Sequence, residues 1–84
     1  MALQPDETLD ARGLHCPLPL LKAKQALARL DGGAVLHVLA TDPGSWGDFE
    51  SFIAQSGHAL LAREESADEY HYWIRKSGGI MTRR

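Results

Sequence analysis

One cysteine is all this chain contains, and that scarcity excludes a good deal. A single thiol forms no internal disulfide, so the fold does not depend on an oxidising compartment. Nor can the chain resolve a mixed disulfide with a second thiol of its own, as thioredoxin-type enzymes do. Long apolar runs are missing as well: no stretch approaches the roughly 20 residues of a membrane helix. The opening MALQPDETLD has neither the basic nor the apolar region of a secretory signal. The expected compartment is therefore the cytoplasm, without membrane association. Neither sign of charge dominates, since nine Lys and Arg against eleven Asp and Glu leave a net charge of −2. A general nucleic-acid binder needs a surplus of cations to neutralise phosphates, so no direct nucleic-acid contact is expected. Repeats, low-complexity tracts and linkers are absent too. The 84 residues suffice for one core. The expected organisation is a single domain over residues 1–84, its core spanning about 8–77, with flexible ends.

What is present is clear patterning. Thr8 to Ala11 reads as a short strand ending at a turn on Gly13. Pro17 and Pro19 each lack an N–H, which a first helical turn does not use, so they suit a helix beginning at Cys16 or Pro17. Leu20, Ala23, Ala26, Leu27 and Leu30 recur at 3–4 spacing as one apolar stripe, with Lys22, Gln25 and Arg29 opposite. Asp31-Gly32-Gly33 is read as the stop, glycine accepting the left-handed conformation after a helix.

Ala34 to Ala40 is a buried-strand pattern. Thr41-Asp42-Pro43 then opens a second helix, with Asp42 as N-cap and Pro43 at the first position. Trp46, Phe49, Phe52 and Ile53 form its apolar face, and Gly57 closes it. His58 to Glu64 and Glu69 to Lys76 read as strands around a polar turn, followed by a frayed tail at Ile80 to Arg84. The order β-α-β-α-β-β predicts an α/β fold. It is a two-layer sandwich: a four-stranded mixed sheet with both helices on one face. The other face of the sheet would be less protected, and either His37 with its strand-mates or Leu36 with its own could lie there.

Cys16 falls at the start of the first helix, where unpaired N–H groups and the helix dipole favour an anion. Thiolate is the nucleophilic form, and helix N-termini lower a thiol's pKa. The expectation is a thiol moved toward neutrality, with Arg12, His15, Lys22 and Lys24 as candidate electrostatic support. The plainer alternative is a small buried hydrophobe. Four scattered histidines and one cysteine match no zinc spacing, so no metal is expected. A cysteine hydrolase needs a base beside the thiol, and His15 is adjacent only in sequence. A thiol peroxidase would lack its resolving cysteine. What remains is a thiol that exchanges a group with another protein.

Leu9-Asp10, the run Gly13-Leu14-His15-Cys16-Pro17-Leu18-Pro19, Asp42-Pro43 after an apolar strand, and Ile74-Arg75-Lys76 together resemble the TusA/SirA-like sulfur-carrier family. The resemblance covers residues 8–77 and implies the same β-α-β-α-β-β fold. It implies that Cys16 accepts sulfane sulfur as a persulfide from a cysteine desulfurase or other sulfur donor protein. That sulfur then passes to a downstream sulfur-acceptor protein, in tRNA thiolation, a molybdenum-cofactor enzyme or another sulfur pathway. The chain would be a relay carrier rather than a turnover enzyme, with no cofactor beyond its covalent cargo. Gly13, Pro17 and Pro19 would shape the site. Leu18 stands where the tRNA-thiolation carriers have an acidic residue, and Gly44 to Asp48 also differs from them. Leu14, Leu18 and Leu21 are read either as an apolar rim for partners or as inward packing. Asp42 and Pro43 are read as capping residues, Trp46 and Trp73 as packing groups. The alternative function is a non-catalytic regulatory or protein-interaction module on the same fold.

Overall fold

The computed structural model describes residues 4–77, so the tail expected at Ile80 to Arg84 lies outside the described residues. The chain runs β1 (Glu7–Ala11), α1 (Leu18–Arg29), β2 (Val35–Ala40), α2 (Gly44–Ser56), β3 (Ala59–Ser66) and β4 (Glu69–Arg75). β1 and β2 pair in parallel, a geometry that needs a crossover, and α1 supplies it. β4 pairs antiparallel with β2 on one side and β3 on the other, giving the mixed sheet order β1-β2-β4-β3. Fold class and element order are as expected.

Alternation along β2 decides which face is covered. Leu36, Val38 and Ala40 are buried, and with Tyr72 and Ile74 of β4 they receive Ala23, Ala26 and Leu27 of α1 and Phe49 of α2. Fully burying a Val, Leu, Ile or Phe side chain contributes about 1.5–3 kcal/mol, and the alanines contribute less. Phe49 stacks on Tyr72 with centroids 4.3 Å apart. Two polar contacts tie α2 down to the sheet. The hydroxyls of Ser45 and Tyr72, both fully buried, hydrogen-bond at 2.7 Å. Arg63 of β3 donates to the Trp46 carbonyl at 3.3 Å while its guanidinium lies 3.9 Å above the Trp46 ring.

Among the described residues, the opposite face carries the His37 set and no helix. There His37 stacks flat on Trp73 (4.6 Å) and shares a 3.0 Å hydrogen bond between its Nε2 and His71 Nδ1. Burial, and secondarily the neighbouring His71, lowers the His37 pKa.

Three helix boundaries differ from expectation. α1 starts at Leu18 with Pro17 as its N-cap residue, which leaves Cys16 in the loop before the helix. Its end is set by Leu30 in an extended conformation, and the Lys76 ammonium donates to the Leu30 carbonyl at 2.6 Å. The left-handed glycine, Gly33, belongs to the following turn. The N-cap of α2 is Pro43, with no side-chain cap, because the Asp42 carboxylate is engaged elsewhere. Among the described residues, no helix is long and apolar enough to cross a membrane.

Candidate functional site

The loop between β1 and α1 is shaped residue by residue. Gly13 takes a φ of +84°, a left-handed conformation that a side chain disfavours, and its N–H donates to Thr41 Oγ1 at 2.9 Å. The Leu18 N–H donates to the His15 carbonyl at 2.8 Å, closing a turn around Cys16. The Cys16–Pro17 peptide is cis. Pro19 is buried in the first turn of α1, where its missing N–H costs nothing, and Pro17 stays exposed. The result is a single free thiol presented to solvent rather than packed in the core.

The start of α2 forms the other wall. Asp42 Oδ2 accepts the Cys16 backbone N–H at 3.2 Å. The Cys16 thiol donates to Asp48 Oδ2. Gly44 lies so close that a Cβ built on it would stand 3.4 Å from Cys16 Cβ and 2.8 Å from Asp42 Oδ2. Gly44 and Asp48 are four residues apart on one helix, so both face the thiol.

This arrangement reverses the expected electrostatics. The thiol's pKa is raised, first by the hydrogen bond to Asp48, then by desolvation, then by the negative charges of Asp48 and Asp42. A carboxylate in contact with sulfur outweighs a helix dipole that acts through a terminus two residues away. The candidate cations are turned to other tasks. Arg12 donates to Asp10 (2.9 and 3.0 Å) and Glu69 (3.2 Å), and the Arg12 hydrogen bonds hold the Asp10 carboxyl down at about 2. Lys24 lies over the Phe52 ring at 5.4 Å. Lys22 is exposed, and His15, also exposed, brings Nδ1 to 3.9 Å from Asp42 Oδ1.

The three leucines divide. Leu14 is partly buried and packs against the core, so it leaves the proposed rim. Leu18 and Leu21 stand 44% and 45% exposed on the first turn of α1. Asp42, read as a cap, instead turns its carboxylate to the Cys16 N–H. Gly44 and Asp48 were noted in the sequence only as the ends of a stretch that differs from the tRNA-thiolation carriers, not as neighbours of the thiol. The one signal available was their i, i+4 spacing directly after Asp-Pro. Among the described residues, no cluster of three or more His, Cys, Asp or Glu could hold a metal ion. A shallow depression lined by Gly33, Gly57, Ala59, Arg75, Lys76 and Ser77 lies at the far end of the sheet from Cys16.

Comparison with known proteins adds the following. The sequence matches the family described as Sulfurtransferase TusA over residues 7–76. It is 50% identical over 72 residues to the sulfur carrier protein TusA of Allochromatium vinosum, covering 86% of this chain and 95% of that protein. Against the sulfur carrier protein TusA of Pseudomonas entomophila it is 46% identical over 71 residues, covering 84% and 89% respectively. The crystal structure of a SirA-like protein from Desulfitobacterium hafniense superposes with a TM-score of 0.73 at 29% identity, covering 84% of this chain and 97% of that one.

Proposed function

The chain belongs to the TusA sulfurtransferase family, and from that premise we propose that it is a sulfur carrier whose cargo rides on Cys16 as a persulfide. One observation supports this most directly: the chain's only thiol is exposed, on a loop whose backbone is anchored at two points, by Thr41 and by Asp42. A thiol built this way is reachable by another protein's sulfur while keeping a fixed position.

The chemistry is thiol exchange. The Cys16 thiolate attacks the outer sulfur of a donor's persulfide, the new Sγ–S bond forms, the donor's S–S bond breaks, and the donor leaves as thiolate. A thiolate of the acceptor protein later attacks the carried sulfur in the same way, and Cys16 leaves as thiolate. One sulfur atom changes hands without an external oxidant or reductant. Having no second thiol, the carrier cannot discharge its cargo internally. The donor in this reading is a cysteine desulfurase or another sulfurtransferase, and the compartment is the cytoplasm, where a free thiol stays reduced. The exposed Leu18 and Leu21 beside the thiol give a partner protein an apolar contact.

Incubation with a cysteine desulfurase and cysteine should add about 32 Da per sulfur at Cys16, removed by reductant. A Cys16→Ser variant that gains the same mass would refute the assignment.

A further inference from the structure

The thiol's closest polar neighbour is an acid, which is an odd companion for a nucleophile. Asp48 reaches Sγ from α2 and accepts its hydrogen. Asp42, from the loop ahead of α2, adds a second carboxylate on the backbone N–H of the same residue. His15 reaches Asp42 Oδ1 at 3.9 Å. These are the titratable groups that face the thiol, and the two nearest are negative. Gly44 leaves the space beside the thiol open: a Cβ there would stand 3.4 Å from Cys16 Cβ and 3.8 Å from Sγ.

We infer that Asp48 keeps the empty carrier idle: its carboxylate holds the hydrogen on Sγ, so small electrophiles and oxidants meet a thiol rather than a thiolate. The purpose of this hold rests on the carrier reading above, whereas its chemistry does not. Thiolate is the reactive form toward alkylating agents, peroxide and disulfides alike. A lone exposed cysteine has no internal partner to rescue it from sulfenic acid, so a smaller thiolate fraction protects it. Loading ends the hold. In the persulfide, Sγ bears no hydrogen to donate, and the ionisable sulfur sits one S–S bond, about 2.05 Å, further out. The raised thiol pKa, caused first by the Asp48 hydrogen bond, agrees with this arrangement.

The test is the pH–rate profile of alkylation by iodoacetamide, a neutral reagent that the site's charge does not steer. Wild type, Asp48→Asn and Asp48→Ser are compared, with circular dichroism and thermal melts to select the folded variants. The expected profile of a folded variant is displaced to lower pH. Thiolate nucleophilicity falls with pKa at a Brønsted slope of about 0.4–0.5, so each tenfold gain in thiolate yields only about a threefold gain in rate. The variant should thus react several-fold faster at neutral pH and more slowly on the alkaline plateau, so that the two curves cross. A general loosening of the loop would raise the rate at every pH and produce no crossing. A profile unchanged, shifted upward, or raised without crossing in the folded variants overturns the inference. An upward shift would make Asp48 an activating base instead. Persulfide loading of wild type is measured alongside: no mass gain there would sink the carrier reading while leaving the alkylation result standing.

Discussion

Replacing Tyr72 by Phe removes one oxygen atom and tests what fastens α2 to the sheet. The ring is fully buried and stacked on Phe49, and both properties survive the substitution. What is lost is the 2.7 Å hydrogen bond to Ser45, which is itself 1% exposed. A buried hydroxyl left without a partner costs about 1–3 kcal/mol. Near the middle of that range, a domain of this size loses roughly 8–16 °C in Tm, at about 4–8 °C per kcal/mol. Ser45→Ala should cost a similar amount, because it strands the phenol instead. The double variant removes both polar groups at once and should be little worse than either single change. Urea denaturation of all four proteins gives a coupling energy, expected at about 1–3 kcal/mol. Tryptophan fluorescence can follow the transition, since Trp46 lies 6.1 Å from Tyr72. If the two single costs simply add, the hydroxyls do not stabilise one another, and α2 is held by apolar contact and by Arg63 on Trp46.

Gly44→Ala would push a methyl group to 2.8 Å from Asp42 Oδ2 and 3.4 Å from Cys16 Cβ. The flexible carboxylate should yield, so stability moves by less than about 1 kcal/mol, with the gain in helix propensity offsetting part of the strain. The Cys16 amide resonance should still shift as its acceptor leaves, and an unmoved resonance would count against the contact. Leu18→Ser and Leu21→Ser act on side chains already 44% and 45% exposed, so melting should change by no more than about 0.5 kcal/mol. Transfer from a donor protein should slow through a higher KM while iodoacetamide alkylation stays constant; an unaltered KM in both variants would remove these leucines from the docking surface. His37 and His58 are both held below the ordinary histidine value, first by burial, then by His71 and Lys76 respectively. The unfolded chain therefore takes up protons first, near pH 6.5. Stability is full above that value and falls as the pH drops through the two folded-state values. Urea midpoints from pH 8 to pH 5 should decline, with a shallower slope for His58→Gln, and a flat or rising series would contradict the assignment.

The periodic signals carried the architecture. The stripe from Leu20 to Leu30 and the alternation in β2 each reflect burial against one neighbour, a demand that repeats along the chain and so shows in its spelling. Cys16 was legible for a similar reason, since two prolines beside a thiol leave few local conformations. The second wall was not. Asp42 and Asp48 meet Cys16 across 26 and 32 residues, and nothing periodic records such a meeting. The direction of the thiol's shift was misjudged on the same account. The dipole of α1 is a local property, while the larger opposing effect comes from the facing helix. Which set of β2 residues lies on the open face likewise required the position of both helices. Arg12 is a different case, because Asp10 stands only two residues before it, within reach of a local turn contact. That pairing could have been read as a reason to discount Arg12 as support for the thiol.

The thiol's setting is divided between two stretches of chain, with Gly13 anchored on Thr41 and Cys16 on Asp42. The cysteine-proline loop is therefore not a portable cassette. A graft that moves residues 12–19 alone into a relative, or a synthetic peptide of the same run, transfers the reactive atom without its temperament. A chimera should take on the donor chain's thiol behaviour only when residues 41–48 travel with the loop. Design of carriers with altered reactivity thus has two segments to edit, and the one without the cysteine offers the finer adjustment.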